Sequence, residues 1–520
     1  MRRPLGLAVL LVVALLQLAT APHAAAVKRF PHGFLWGTAI SGFQTEMGRG
    51  RNLDRASDWF VWSHDPGNVA AHRVSGDLPE RGPGHYALFR TDIRLARERL
   101  HNNAMRISIE WSRIFPRSTA SVTGPLDVAE MKRLDKLADQ RAVRHYAAEL
   151  EAIRSAGMVP FVTVSHFSLP LWIHDPIATR NALAALGPND PPPSGLARAG
   201  WLSSTTIAEF AKYSAYLAWK YGKLVDFWTP INEPLVVVES GYVNVPGVIG
   251  GFFPPGALNY AAAIRAVLNM ELANAASYDA IHRFDRHARV GLVQNMVHFV
   301  AANPASAADV AATGHATYLF DQLFLDAAVR GDVDANANGV IDPGEHHPSM
   351  VGKADFIGVN YYFRGRVSAV GGSLTPVIPV LDFLPMTNYR IPQNPMAPPC
   401  PTTCSDFGNE VDPAGFEQVL RIAGSYHLPV YVTENGIADA RDRLRRSYLA
   451  THLAVLRHAI THHVANVRGY FEWSLMDNFE WSAGFFPKFG LFSFNPRTLE
   501  RKARPSARYY ARVAEENGLP

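Results

Sequence analysis

Pro429-Val430-Tyr431-Val432-Thr433-Glu434-Asn435-Gly436 places four β-favouring residues ahead of a carboxylate and then closes on Asn-Gly turn chemistry. The stretch reads as a buried strand that delivers one acid at its C-terminal tip. Phe227-Trp228-Thr229-Pro230-Ile231-Asn232-Glu233-Pro234 has the same form, and Pro234 cannot continue a ladder. Either glutamate alone reads as a solvated turn residue. Together, each behind an apolar run and beside asparagine or threonine, Glu233 and Glu434 suit paired acid and nucleophile work.

Six further short buried runs share this design: Gly33–Ala39, Asn103–Ile109, Val159–Ser165, Val290–Met296, Asp355–Asn360 and Gly469–Trp473. Amphipathic helical patterns such as Arg144–Ala156 and Thr206–Tyr221 lie between them. Counting Phe227–Asn232 and Pro429–Thr433, eight strand-then-helix units predict a closed (β/α)8 TIM barrel of the α/β class, with its chemistry at the strand C-termini.

The remaining chain fits one such domain. Arg2-Arg3, the apolar run Leu5–Ala19 and Ala24-Ala25-Ala26 read as a cleaved signal peptide over 1–26, so a secreted or periplasmic protein is expected. No second long apolar run predicts a membrane span. The composition, 48% hydrophobic and 18% charged, is that of a globular chain with a large core. No linker divides 27–520, and barrels with insertions reach this length as one unit. A net charge of +4 gives no case for nucleic acid. The basic run Arg441–Arg446 reads as a solvated helix face.

Polar groups cluster where the strands end. Gln44 follows the first run, and its amide both donates and accepts, as vicinal hydroxyls require. Arg106, inside the second, needs a carboxylate partner; Glu110 or a catalytic acid would serve. His166 stands at the tip of the third. The last unit, Gly469 through Trp481, offers Trp473 and Trp481 as stacking faces and Glu480 as an acceptor.

These pieces in this order resemble glycoside hydrolase family 1 β-glycosidases over residues 28–515, from Phe34-Leu35-Trp36-Gly37 to Arg504-Pro505-Ser506. Glu110–Pro116, Ser168–Trp172 and Gly251–Gly256 look most like the branch typified by thermophilic archaeal enzymes. The resemblance implies a retaining β-glycosidase acting on terminal β-D-glucosyl or galactosyl groups of small-molecule substrates, with no cofactor for catalysis. It implies Glu233 as acid/base and Glu434 as nucleophile, supported by Arg106, Asn232, Asn360 and Tyr362. Gln44, His166, Asn232, Trp473, Glu480, Trp481 and Phe489 match the family's sugar-binding positions. Two departures stand out: Phe167 where the family usually has tryptophan, and Asn409 where this branch commonly has one after Asp406-Phe407-Gly408.

Retention requires the carboxyls roughly 5–5.5 Å apart. Ionised Glu434 would raise the pKa of Glu233, keeping it protonated until Glu434 is esterified. Transglycosylation with the same residues is an alternative. A non-catalytic sugar-binding relative would lack one glutamate. A 6-phospho-β-glycosidase would need cationic groups where Glu480 stands. The sequence sets no oligomeric state.

One segment lies outside the family pattern. Asp334-Ala335-Asn336-Ala337-Asn338-Gly339-Val340-Ile341-Asp342-Pro343-Gly344-Glu345 matches the twelve-position calcium loop of EF-hands, with Asp334, Asn336, Asn338, Val340, Asp342 and Glu345 at the ligand positions. It predicts a structural Ca2+ site; the plain alternative is an Asn/Gly-rich surface turn. Cys400 and Cys404, the only cysteines, are expected to form a disulfide in the insertion 370–412.

Overall fold

A computed structural model describes residues 28–244, 250–370 and 382–520. The signal-peptide reading over 1–26 therefore lies outside the described residues, as does part of the 370–412 insertion. Eight parallel strands form the barrel: β1 (Leu35–Ala39), β2 (Ala104–Ser108), β3 (Val159–Ser165), β4 (Phe227–Ile231), β5 (Arg289–Ala301), β6 (Phe356–Ala369), β7 (Val430–Asn435) and β8 (Val467–Trp473). They run in spatial order β5-β4-β3-β2-β1-β8-β7-β6, and β5 pairs with β6 to close the ring.

Helices α1 (Gln140–Ser155), α2 (Thr205–Tyr221), α3 (Pro234–Tyr242), α4 (Tyr260–Phe284), α5 (Ala307–Thr317), α6 (Pro413–Gly424) and α7 (Arg445–Thr461) are among those around it. Because helices cover the outside and side chains fill the inside, every residue of β2 and β4 is buried. That is why these strands read as continuous runs without alternation. Helix α1 starts one turn before its predicted first residue, since Asp139 caps it by accepting from the backbone N–H groups of Arg141 and Ala142.

Inside, Phe161, Phe227, Phe356, Tyr431 and Phe471 form an aromatic floor, with Phe161–Phe227 centroids 5.1 Å apart and Phe227–Tyr431 centroids 5.2 Å apart. The floor fills the barrel's lower half, so room for a ligand lies above it, at the strand C-termini.

Three findings go beyond the predicted strands. First, β7 carries a bulge: Val359 and Asn360 of β6 pair with Val432 and Glu434, leaving Thr433 as an extra residue. The register with β8 shifts over the same stretch. Simple alternation from inward-facing Tyr431 would send Glu434 outward; one inserted residue returns it to the interior.

Second, β5 and β6 run past the barrel rim as a paired ribbon, from His298↔Arg364 to Ala301↔Val367. Its polar face is satisfied by the insertion, where Asp412 accepts from His298 at 2.7 Å and from the Arg364 guanidinium at 2.7–2.9 Å. In the same insertion Cys400 and Cys404 are joined as a disulfide.

Third, the Arg441–Arg446 run is not wholly a solvated face. Arg441, Arg443 and Arg446 are exposed, but Arg445 is fully buried and donates to the carbonyls of Ile437, Asp439 and Lys488. A guanidinium has enough donors to tie several loop carbonyls together where a hydrophobic side chain would leave them unpaired.

Candidate active site

A cleft of about 350 Å3 opens above the aromatic floor. His166, Glu233, Tyr362, Glu434, Trp473, Glu480, Trp481 and Phe489 line it. Gln44, Arg106, Asn232 and Asn360 stand behind that lining and reach it through hydrogen bonds. A larger hollow of about 910 Å3 lies at the opposite end of the barrel, lined by residues such as Asp226, Arg289 and Arg468, and contains neither glutamate.

The two glutamates belong to one network. Arg106 pairs with Glu434 through Nη1 and donates to Asn232 Oδ1 through Nη2 at 2.6 Å. The partner of Arg106 is thus Glu434; Glu110 instead accepts from Ser108 and Ser168. Tyr362 donates to the other Glu434 oxygen at 2.6 Å. Asn360 Nδ2 donates to Glu233 at 2.6 Å and to Asn232 Oδ1 at 3.2 Å. Its own carbonyl accepts from the Thr433 hydroxyl at 2.7 Å, which fixes which way the amide faces. Asn232 Oδ1 therefore joins the Arg106–Glu434 side to the Asn360–Glu233 side.

Their surroundings differ in kind. Glu434 faces a guanidinium and a phenol. Glu233 meets amide donors, and burial followed by the charge of Glu434 pushes its pKa up to about 8. Its backbone sits in the left-handed region at φ 46°, where β4 has ended and α3 begins. Phe167 (φ 71°) and Trp481 (φ 49°), both on the cleft wall, share that uncommon conformation.

Around the pair lie groups for hydroxyl recognition. Burial and then Arg106 hold the His166 imidazole well below its ordinary pKa, so it is neutral. With Nε2 3.4 Å from the Asn232 amide nitrogen, its Nδ1 is buried with no partner in the protein, a donor free for a ligand. Gln44 donates to Asn478 at 3.1 Å and to Glu480 at 3.3 Å. Burial, then Glu434, raises Glu480 to about 8. It therefore offers both a donor and an acceptor at neutral pH.

Sequence reasoning missed Asn295, which lines the cleft and helps to hold down the pKa of Glu233. It stands near the tip of a run read only as buried strand; the strand-tip signal that singled out His166 applies to it equally. Glu239, on α3, was missed as well and lines the cleft.

The chain as a whole is similar to known proteins. The family model described as glycosyl hydrolase family 1 matches residues 26–181 and 190–519. The chain belongs to that family. A β-galactosidase of Pyrococcus woesei is 38% identical, the match covering 94% of this chain and 98% of the relative. β-Glucosidase A of Thermotoga maritima is 30% identical over 95% and 99%. The crystal structure of the β-glycosidase from Thermosphaera aggregans superposes with a TM-score of 0.81 at 36% identity, covering 95% and 98%. Against the family 1 pattern, Phe167 packs edge-on against Phe253 and Trp481 at 5.2 and 5.1 Å. Asn409 lines the cleft and donates to Asn388 at 2.8 Å. This glycoside hydrolase thus presents a phenyl ring and an amide at the two positions that depart from the pattern.

Proposed function

We propose that the enzyme hydrolyses terminal non-reducing β-D-glucosyl or galactosyl residues with retention of configuration. The observation that carries this reading is the asymmetry between the two glutamates. Glu434, held by Arg106 and Tyr362, is placed to attack. Glu233, with its pKa raised to about 8, is equipped to hold a proton. In the first step a Glu434 oxygen bonds to the anomeric carbon while the Glu233 proton passes to the glycosidic oxygen, and the aglycone leaves as an alcohol. Esterification removes the charge of Glu434, so Glu233 becomes more acidic and, now ionised, takes a proton from water. The resulting hydroxide equivalent displaces Glu434 from the same carbon. Two inversions give net retention. Tyr362, whose phenol burial keeps protonated, donates to the nucleophile before attack.

The sugar would stack on Trp473 and bond to Gln44, His166, Asn232, Glu480 and Trp481, with Phe489 at its border. The 6-phospho reading is disfavoured on revised grounds. Glu480 is largely protonated at neutral pH and does not act as a full charge. Instead, the described cleft lining carries Glu233, Glu239, Glu434 and Glu480 and no lysine or arginine, leaving a phosphate without a cation. A panel of nitrophenyl β-glycosides tests this. Glucoside and galactoside should be cleaved, a 6-phospho sugar should be slower by about 100-fold or more, and Glu480→Ser should raise KM on both hexosides. Preference for the phosphorylated sugar would defeat the assignment.

Export belongs to the same proposal and rests on the sequence of 1–26. N-terminal sequencing of the enzyme from outside the cell should begin close to Val27; an intact Met1 would refute it. Among the described residues no helix is long and apolar enough to cross a membrane.

A further inference from the structure

We propose that the loop Asp334–Glu345, together with Glu271 of α4 beneath it, binds one calcium ion. The loop leads towards β6, which carries Asn360 and Tyr362, and none of its residues lines the cleft. The twelve-residue spacing alone would not distinguish a metal loop from a turn. A buried carboxylate next to it does.

Glu271 is 2% exposed, and neither of its oxygens has a hydrogen-bond partner. Leu268 and Ala275, on the same helix, share one apolar cluster with Val333, which leads into the loop, and the charged side chain acting on Glu271 is the equally buried Asp334, the loop's first residue. Tyr318 lies by both and donates to Asp334 at 3.0 Å. An orphaned carboxylate against another acid is costly unless a cation, or a proton, stands with them.

The loop is shaped to supply the other oxygens. Asp334 accepts from the backbone N–H of Gly339 at 2.8 Å, Asn336 from Asn338 at 3.0 Å, and Asn338 from Val340 at 2.7 Å. Glu345 folds back from the twelfth position, accepting from Ala335 at 2.9 Å and Asp342 at 2.7 Å. Gly339, at φ 81°, makes the turn at position six. The Val333 N–H donates to the Glu345 carbonyl at 2.8 Å and clamps the two ends of the loop together.

Glu345 keeps one lone pair on each oxygen, whereas Asp334 also accepts from Asn336, Asn338 and Tyr318, so a cation there would displace the long contacts from Asn336 and Asn338 at 3.4 and 3.2 Å. Among the described residues no three or more His, Cys, Asp or Glu side chains form a metal cage by themselves. As placed the loop is not a closed cage, so the carboxylates of Asp334, Asp342 and Glu345, the amide carbonyls of Asn336 and Asn338, and the Val340 carbonyl would have to draw together around the ion. Such all-oxygen sets suit Ca2+, which takes six to eight hard ligands in flexible geometry, over Mg2+ or Zn2+. Glu271 adds a buried carboxyl from below.

Two tyrosines make the site readable. The hydroxyl of Tyr318 touches Asp334, and that of Tyr260 donates to the Asn336 carbonyl at 2.7 Å. Terbium, which replaces calcium in oxygen sites, should therefore luminesce when tyrosine is excited, at one ion per chain, and calcium should quench the signal by competition. Tyr318→Phe should cut the emission about twofold or more while leaving calcium binding within a few-fold. Asp334→Ala/Glu345→Gln should abolish it. Calcium at about 1–10 mM should raise the melting temperature of the full-length protein by roughly 2–4 °C over chelator, and not that of the double variant.

If the double variant folds poorly, Glu345→Gln alone keeps one of the two acceptor oxygens, removes the charge and should weaken calcium binding at least tenfold. Terbium emission equal in wild type and Glu345→Gln, or identical melting with calcium and chelator, would overturn the site. If Glu271→Gln binds calcium as tightly as wild type, Glu271 carries a proton and has no part in it.

Discussion

Glu434→Gly is expected to lower turnover by roughly 10⁴- to 10⁶-fold, the scale of loss when a covalent nucleophile is removed. The substitution leaves a small hollow still flanked by Arg106 and Tyr362, which pair with Glu434 in the intact enzyme. A small anion such as azide or formate fits that hollow and can attack the anomeric carbon from the face Glu434 would have used. Product formation should return when the anion is added, and the adduct should have the α configuration, readable by NMR. An adduct of β configuration, or full activity without the anion, would remove Glu434 from the role of nucleophile.

The second large effect concerns the proton. Glu233→Gln should slow substrates with poor leaving groups by about 10²- to 10⁴-fold, while aryl glycosides with strongly acidic phenols lose far less in the glycosylation step. Equal losses on both would rule out the acid role. A pH profile supplies an independent check. Glu233 acts only when protonated, and its pKa is raised to about 8. Its contribution to kcat/KM is therefore intact at neutral pH and falls about tenfold per unit once the pH rises above about 8. That alkaline limb should vanish in Glu233→Gln.

Much of this was legible in the chain because a parallel barrel writes itself into sequence as runs buried on both sides. Residues 159–165 and 227–231 were readable for that reason. The runs ending at Met296 and Asn360 were read short because their continuations lie above the rim. There, one face is wet and charges such as Arg364 are offset by Asp412 of a distant loop. The site was readable as a set of polar groups at strand tips, and Arg106 as a cation in need of an acid. The arrangement was less so. Nothing in Val-Tyr-Val-Thr-Glu marks Thr433 as an inserted residue, since a bulge is defined by what the neighbouring strands do. Nor does a glutamate advertise a left-handed backbone, which sequence reading expects of glycine or asparagine.

That last conformation bears on how such an enzyme ages in evolution. A left-handed residue other than glycine or asparagine costs about 1–2 kcal/mol, and here three of them, Phe167, Glu233 and Trp481, surround the place where bonds break. Their strain is sustained by a barrel that folds around them, so the reaction centre draws on a reserve of stability built elsewhere. A lineage that abandons hydrolysis and keeps only sugar binding has no further use for that strain. It can substitute glycine or asparagine for Glu233 and become harder to melt in the same step. Loss of chemistry and gain of heat tolerance would then be one mutation, and the way back would lead downhill in stability.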